Sequence, residues 1–489
     1  MKIRCIDNLI QKYKNMSAPV KMAFWFLICS FLQKGIGMIT TPVFTRVMTE
    51  SEFGRFSVYN SWYSIISVFA TLSITGNCFT RGLVVANSEQ SKRELASSFY
   101  GLVITMIAFF GIIYVIFQDR INAATRLTSY QFLMMGIDFV TIQASYIWIN
   151  SKRVKYEYKG IVYLTLAMAV IRPLIAILLV LNAPETAQVE ARLTGIAIAN
   201  TAIFSWIIIY IFKNGKKFYD KNNWKYALTF CLPLIPHYLS QTILNQSDRI
   251  MISYFVGNSE AAYYTIAYTI AAIMSMFNNA VAQALDPWLY QSIKDKKLDR
   301  IGPISYRITA IIALLNFVVM AIAPEVLWIL APSNYSSALW AIPPVTASVF
   351  FIFMYDLFAS FQFYFKKTKL IAIGSCGGAI LNIILNAIFI PIFGYVAAGY
   401  TTLVCYILFG VLHYIFMRNV CKKYLDDYVV YDWKIIFGIG FLLIIASFAM
   451  LSLYEHIVIR YAVLGIIAVV MLAMRKKIAE LFINIKKDH

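Results

Sequence analysis

The chain has 489 residues, of which 60% are hydrophobic and 14% charged, and its formal net charge is +19. Ordinary globular proteins are roughly 45–50% apolar and about 25% charged. This composition therefore excludes a soluble protein and predicts an all-α integral membrane protein. No hydrophilic segment is long enough to form a soluble domain.

Residues 1–20 form a basic segment in which Ile3, Ile6 and Ile10 recur at helical spacing. This pattern indicates a cytoplasmic interfacial helix, with a disordered tail as the alternative. A membrane span needs about 20 mainly apolar residues, and fourteen such segments follow. We number these predicted spans 1 to 14: 21–43, 56–82, 97–117, 127–149, 160–182, 193–213, 224–256, 261–290, 306–330, 337–365, 369–391, 395–416, 434–454 and 457–474.

The basic residues alternate from loop to loop along this map. With both termini cytoplasmic, the cytoplasmic segments hold 34 of the 43 lysines and arginines, the outer loops hold 6, and the spans hold 3. Cytoplasmic loops of membrane proteins carry an excess of Lys and Arg, so this split supports the span map. It also places the net positive charge beside anionic lipid and argues against nucleic acid as a partner.

Two weak internal matches indicate a duplication. Ser51–Phe56 resembles Ser259–Tyr264, and Lys152–Lys155 resembles Lys366–Lys369. The copies are six spans apart, so both halves would enter the membrane in the same direction, as in a parallel repeat. We therefore expect an N-lobe at 21–213, a cytoplasmic linker at 214–223, a C-lobe at 224–416, a cytoplasmic loop at 417–433, an appended helix pair at 434–474 and a basic cytoplasmic tail at 475–489.

Polar residues recur every three or four positions in predicted spans 7 and 8, which places them on one helix face. A polar face cannot lie against lipid and must meet protein or a water-filled cavity. Similar stripes occur in spans 1 and 2, so we expect these four helices to line a central cavity between the lobes. Hydrogen bonding between neighbouring helices is the alternative. The stripe residues of spans 7 and 8 are Gln241, Asn245, Asp248, Asn279, Gln283 and Asp286.

Charged residues also lie inside the predicted spans. Each would cost roughly 2.5–3.5 kcal/mol at the centre of a lipid-facing helix, so we expect these side chains to face the protein interior. Asp248 and Arg249 are neighbours and point about 100° apart on a helix, so they need not neutralise each other. The cations are Lys34, Arg172 and Arg249, and the acids include Asp138, Asp248, Asp286 and Asp356.

Catalytic and metal-binding signatures are missing from the sequence. It has no HExxH, GxSxG or P-loop motif, its four histidines are scattered, and its seven cysteines form no CxxC pair. We therefore expect no enzymatic activity, no cofactor and no metal site. The cysteines, most of which lie in apolar segments, are interpreted as packing residues.

Three segments resemble a known family. They are Thr41-Pro42 with Thr45-Arg46 and Glu52-Phe53-Gly54; Asp248 to Ile252; and Leu381 to Asn386 followed by Pro391, Gly394 and Gly399. In this order, and with fourteen spans, the chain resembles O-antigen-type oligosaccharide flippases, in the polysaccharide-transport branch of the multidrug/oligosaccharidyl-lipid/polysaccharide (MOP) exporter superfamily. The resemblance covers essentially the whole chain. It implies two six-helix lobes around a central cavity, with an appended helix pair.

The resemblance implies a flippase that turns a polyprenyl-pyrophosphate-linked oligosaccharide from the cytoplasmic to the outer face of the bacterial plasma membrane by alternating access. Its partners would be that lipid-linked glycan, membrane lipids and the downstream polysaccharide polymerase machinery. Candidates for binding the pyrophosphate are Arg249, Lys34 and Arg172, and candidates for binding a coupling proton or cation are Asp248, Asp286 and Asp356. Gln241, Asn245, Asn279 and Gln283 would line the path of the sugar.

Three other functions stay open. A drug or metabolite antiporter on the same fold should work without polyprenyl-linked sugars. A flippase for the peptidoglycan precursor should cause lysis when it is depleted. A membrane sugar polymerase or ligase, a different class of protein, should change glycan length when lipid-linked units are already outside.

Overall fold

The computed structural model describes residues 18–487, apart from the side chains of residues 18–24, 26–28, 30–34, 368 and 474–487. Every regular element in this part of the chain is helical, which confirms the predicted all-α class. The α-helices are α1 Ala18–Val47, α2 Glu50–Thr71, α3 Asn77–Val85, α4 Glu89–Ile116, α5 Gln118–Thr125, α6 Ser129–Val154, α7 Tyr158–Leu181, α8 Gln188–Gly215, α9 Lys221–Cys231, α10 Ile235–Phe255, α11 Asn258–Lys294, α12 Ile301–Ala321, α13 Ala323–Leu330, α14 Ile342–Tyr364, α15 Thr368–Phe393, α16 Val396–Tyr424, α17 Trp433–Leu453 and α18 Ile457–Lys487.

Eleven helical segments within the described residues have the length and hydropathy of a complete membrane span. They correspond to predicted spans 3 to 13. Spans 1 and 2 correspond to α1 and α2, and span 14 corresponds to the apolar stretch Ile457–Ala473 at the start of α18. The chain is therefore a multi-pass membrane protein. Of the interfacial segment predicted at 1–20, residues 1–17 lie outside the described part of the chain. The side chains of the predicted basic tail also lie outside it.

Side-chain caps determine where several helices begin. Thr128 accepts a hydrogen bond from the backbone N–H of Gln131, and the Gln131 side chain accepts one from the backbone N–H of Thr128, which forms a capping box at the start of α6. Asp220 caps α9 and Asp432 caps α17 by accepting bonds from the first backbone N–H groups. These caps satisfy donors that would otherwise have no partner.

Predicted span 2 is wrong as a single helix over 56–82. Helix α2 ends at Thr71, Leu72 and Ser73 take positive φ angles of 49° and 50°, and α3 begins at Asn77. The Thr71 hydroxyl accepts a bond from the backbone N–H of Ser73 at 3.3 Å. Short hydroxyl side chains offer the backbone such alternatives to helical bonding, and a run of Ser, Thr, Gly and Asn is typical of a turn.

Predicted spans 7 and 9 are interrupted for a different reason. A 3-10 turn at Leu232–Leu234, around Pro233, separates α9 from α10, and Ile322 separates α12 from α13 just before Pro324. Proline has no N–H to donate and clashes with the preceding turn. Each break therefore coincides with a proline, although other prolines, such as Pro173 and Pro391, lie inside continuous helices.

The chain divides into two compact units between Leu239 and Ser240, within α10 and beyond the linker predicted at 214–223. In the first unit, α8 packs against α6 and α7. A methyl group on Gly195 of α8 would lie 2.5 Å from the Cα of Ala176 in α7, so only glycine permits this contact. In the second unit, α14 is central, because 18 of its 23 residues are buried, and it packs against α11 and α16.

Candidate functional site

The first unit carries a charged pair inside its membrane helices. Arg172 on α7 lies with its Nη2 atom 3.8 Å from the Oδ1 atom of Asp138 on α6. The side-chain amide of Asn200 on α8 donates to the same oxygen. Asp138 is buried, whereas the Arg172 side chain is 27% exposed. The guanidinium group of Arg172 therefore has N–H groups that do not contact Asp138.

Arg172 lines two adjoining clefts of the first unit. One holds about 580 Å³ of empty space and is lined by Tyr59, Tyr63 and Tyr146 together with Asp138. The other is open, holds about 1080 Å³ of empty space and shares Tyr146 and Arg172 with the first. Tyrosine presents an apolar ring with a polar tip, so these walls combine aromatic faces, hydroxyl groups and a cation.

Arg192 also lines the larger cleft, although the sequence placed it in an outer loop. Its guanidinium carbon lies 3.5 Å from the ring centroid of Phe44 and 3.6 Å from that of Phe56. Its Nη1 atom contacts the sulfur of Met48 at 3.6 Å, and no carboxylate of the described residues lies within 4.0 Å of it. The aromatic faces stabilise this cation without cancelling its charge, so the cleft carries two arginines and is suited to an anionic ligand.

The second unit contains a buried carboxylate with three hydrogen-bond donors. Asp248 is 1% exposed. Its Oδ2 atom accepts bonds from the hydroxyl groups of Tyr264 at 2.5 Å and Thr402 at 2.9 Å, and its Oδ1 atom accepts one from the Asn386 amide at 2.7 Å. Helices α10, α11, α15 and α16 each supply one of these four residues. Among the described residues no basic nitrogen lies within 4.0 Å of this carboxylate.

Further amides and hydroxyls bond to the residues that contact this carboxylate. Asn382 donates to the Thr402 hydroxyl at 3.2 Å and accepts from Ser247 at 2.9 Å. Asn386 accepts from the Thr401 hydroxyl. Oxygen ligands of this kind are preferred by hard cations. Within the described part of the chain no group of three or more His, Cys, Asp or Glu side chains could hold a metal ion, so this site offers one carboxylate among neutral oxygens.

Arg249 lies apart from Asp248, as their positions on the helix predict. Its Nη1 atom donates to the backbone oxygen of Asn245 at 2.7 Å, and its guanidinium carbon lies 4.4 Å from the ring centroid of Tyr268. The Tyr268 hydroxyl in turn donates to the Asn245 side chain at 3.1 Å. Arg249 is only 8% exposed, so it packs against α11 within the second unit.

The polar stripe residues divide into two groups. Gln241 donates to the Ser375 hydroxyl on α15 at 2.9 Å, and Asn245 bonds to Tyr268 on α11, so this stripe is used in contacts between helices of the second unit. On α11, Asn279 and Gln283 are exposed, and the Asn279 amide bonds only to the backbone of its own helix. The exposed pair is therefore better suited to line a polar path.

The three acids proposed for ion coupling lie in two separate places. The Ser360 hydroxyl bonds to Asp286 at 2.8 Å and to the backbone oxygen of Asp356 at 2.9 Å, and the two carboxylates interact electrostatically. Helix α11 rises about 33 Å between Tyr264, the partner of Asp248, and Asp286, at 1.5 Å per residue. Asp248 and the Asp286–Asp356 pair are therefore two sites. The Lys34 side chain, the third predicted cation, lies outside the described residues.

Comparisons with known proteins identify the family of the chain. Residues 20–293, more than half of the chain, match the family described as polysaccharide biosynthesis protein. The chain belongs to the polysaccharide biosynthesis protein family. It is also 26% identical over 406 residues to an "Uncharacterized membrane protein" of Haemophilus influenzae, covering 76% of this chain and 92% of that protein. A Methanocaldococcus jannaschii protein of the same description is 20% identical over 482 residues, covering 92% and 93% of the two chains.

Solved structures share the fold of this polysaccharide biosynthesis family member. A multidrug resistance MATE family transporter of the MOP superfamily aligns with a TM-score of 0.61 and 11% identity, covering 84% of this chain and 99% of that one. The lipid II flippase MurJ aligns with a TM-score of 0.61 and 15% identity, covering 88% and 99%. The chain therefore shares the fold of these structures, as the resemblance implied, and assignment to the O-antigen branch stays a prediction.

Proposed function

We propose that this chain is a flippase that moves a polyprenyl-pyrophosphate-linked oligosaccharide from the cytoplasmic to the outer face of the bacterial inner membrane by alternating access. Both termini would be cytoplasmic, and the delivered units would serve a downstream polysaccharide polymerase. Membership of the polysaccharide biosynthesis protein family supports the class of substrate. The chain itself would carry out no bond-making step and would need no cofactor.

The observation that carries this proposal is the cleft with two arginines in the first unit. A lipid-linked oligosaccharide has a polar glycan and a pyrophosphate, and both are costly to bring into hydrocarbon without partners. Arg172 is only partly paired, Arg192 has aromatic partners, and Tyr146 lines both clefts. Guanidinium groups bind phosphate with two parallel hydrogen bonds, and tyrosine rings and hydroxyls suit a sugar.

Asp248 is our proposed site for a coupling cation or proton. Burial of a carboxylate carries a solvation cost of several kcal/mol unless a positive charge neutralises it. Arg249 acts on Asp248 electrostatically, but among the described residues no basic nitrogen lies within 4.0 Å of the carboxylate. Its neighbours are neutral oxygen and amide groups, which can surround a small cation. Binding there would change the charge inside the second unit and so bias one transport state over another. The Asp286–Asp356 pair is a second place where a proton could be exchanged.

A test in cells compares Arg172→Gln and Arg192→Gln with Arg120→Gln, which removes one exposed arginine from α5. At equal membrane levels, we expect the two cleft variants to lose surface polysaccharide and to accumulate lipid-linked units on the cytoplasmic side. The control should behave as wild type. A wild-type amount of surface polysaccharide in both cleft variants would contradict the proposed binding site.

The same strains separate the remaining functions when the protein is depleted. Lysis would point to the peptidoglycan precursor as substrate. Altered glycan length, with lipid-linked units already outside, would point to a polymerase or ligase. Altered drug accumulation with normal glycan would point to an antiporter.

A further inference from the structure

A narrow cleft opens at one end of the first unit, where α4 begins and α6 and α8 end. It holds about 620 Å³ of empty space, including space open to solvent. Its floor is apolar and includes Trp148, Ile147 and Ile211, all of which are buried. Four basic residues also line it: Lys92, Arg93, Lys152 and Lys155.

The positive charge at this cleft exceeds the negative charge around it. Glu89 pairs with both Lys92 and Lys155, and Lys152 pairs with Glu157. Among the described residues Arg93 has no carboxylate within 4.0 Å. The two glutamates are half exposed, with 52% and 50% of their side-chain surface accessible, so they reduce the positive potential without removing it.

We propose that this cleft binds an anionic glycerophospholipid of the cytoplasmic leaflet. The phosphate would lie among Arg93, Lys92 and Lys152, and an acyl chain would lie along the apolar floor beside Trp148. The positive-inside pattern predicts that this end of α4, α6 and α8 is cytoplasmic. Basic pockets between membrane helices on that side are suited to anionic head groups.

The lining argues for a phospholipid over the lipid-linked glycan. Besides the four cations, the lining residues offer side-chain polar atoms only from Ser151, Asn214, Tyr210 and the indole nitrogen of Trp148, and Ser151 already donates to its own helix at 2.8 Å. A glycan would need many more hydrogen-bond partners. The apolar floor likewise fits a nucleotide or free phosphate less well than an acyl chain. This site is therefore distinct from the arginine cleft proposed to bind substrate.

The test measures lipids retained by the full-length purified protein, using native mass spectrometry after exposure to phosphatidylglycerol or phosphatidylethanolamine. One variant, Arg93→Gln with Lys152→Gln, removes two charges. A second, Ser151→Trp, fills the cleft without changing charge. The control, Lys296→Gln with Lys297→Gln, removes two exposed charges from another predicted cytoplasmic loop. Thermal unfolding midpoints establish that each variant is folded.

We expect wild type and control to retain one phosphatidylglycerol in preference to phosphatidylethanolamine. Each basic residue near an anionic lipid surface strengthens binding, so the charge variant should retain phosphatidylglycerol about tenfold less well. Ser151→Trp should reduce retention of phosphatidylglycerol because the indole occupies the space proposed for the lipid. Equal retention of the two lipids by wild type, or equal losses in charge variant and control, would overturn the proposal. Displacement of phosphatidylglycerol by an equal concentration of polyprenyl diphosphate would assign the cleft to the transported lipid instead. Because transport is not measured, the result is independent of the flippase proposal.

Discussion

Replacement of Asp248 by asparagine tests the coupling site with the smallest change in shape. The carboxylate accepts two bonds at Oδ2, from Tyr264 and Thr402, and one at Oδ1, from Asn386. An asparagine can keep its oxygen at the Oδ2 position, but its amide then faces the Asn386 amide. Asn386 cannot turn over without losing the bond it accepts from Thr401. The variant therefore loses at least one buried hydrogen bond.

The expected loss of stability follows from the number of buried hydrogen bonds lost. A buried donor left without a partner costs about 1–3 kcal/mol. Removal of a buried charge offsets part of this loss, so Asp248→Asn should fold, with a modestly lower unfolding midpoint. A bound cation adds a larger and separable effect, because a ligand at 100 times its dissociation constant stabilises the folded state by about 2.7 kcal/mol. The wild type should gain this stabilisation, and the variant should not.

The assay is thermal unfolding of the purified protein in detergent. Sodium, lithium or protons are varied at constant ionic strength, with choline as the compensating cation. The control is Asp119→Asn, which removes an exposed acid from α5. Wild type and control should be stabilised by the coupling ion, and Asp248→Asn should be insensitive to it. A wild type insensitive to all three ions, or an Asp248→Asn variant that still responds fully, would refute the assignment.

Three further changes test other parts of the structure. Arg172→Gln should lower the transport rate at least tenfold, because it removes a charge-assisted phosphate contact of about 1.5–3 kcal/mol. Arg172→Lys should keep only part of the wild-type rate. Initial transport rates at matched protein levels measure both effects. Arg460 is 3% exposed, and its Nη2 atom lies 2.5 Å from Glu325. Glu325→Gln should lower the free energy of unfolding by the lower end of about 3–5 kcal/mol, since Glu325 is itself 37% exposed. The double variant with Arg460→Met should recover much of this loss, as a double-mutant cycle would measure. Gly195→Ala should destabilise the protein by about 1–3 kcal/mol, because the new methyl group meets the backbone of α7. The control Gly111→Ala should leave stability unchanged, because its methyl group meets nothing within 4 Å. The unfolding midpoints of the two variants are compared with that of the wild type.

The class of protein and most of its helices could be predicted from the sequence because hydrophobic length and loop charge are local properties. The breaks at Pro233 and Pro324 were not predicted, because a proline does not by itself end a membrane helix: Pro173 and Pro391 lie inside continuous helices. The turn after Thr71 was not predicted either, because it depends on two non-glycine residues with positive φ. Ser51–Phe56 and Ser259–Tyr264, the proposed repeat copies, both fall in the first turns of helices, at the start of α2 and α11.

The candidate site was less predictable because its contacts join distant segments. Asp248 was identified as an internal acid, but its partners Asn386 and Thr402 lie 138 and 154 residues away, and helical periodicity carries no information on such pairs. Asn386 did appear in the family resemblance, which was the one available signal. Arg192 was missed because the predicted span began at 193, whereas α8 begins at Gln188. An error of a few residues at a helix end therefore moved a cleft arginine into a loop.

The most direct test of the central claim is translocation in vesicles that contain only the purified chain and a polyprenyl-pyrophosphate oligosaccharide. The fraction of glycan accessible to an external glycan-cleaving reagent is measured over time. We predict that the intact protein exposes the inner-leaflet pool, and that Arg172→Gln does so at least tenfold more slowly. Accessibility that rises no faster than in protein-free vesicles, with folded wild-type protein and an imposed ion gradient, would contradict the account.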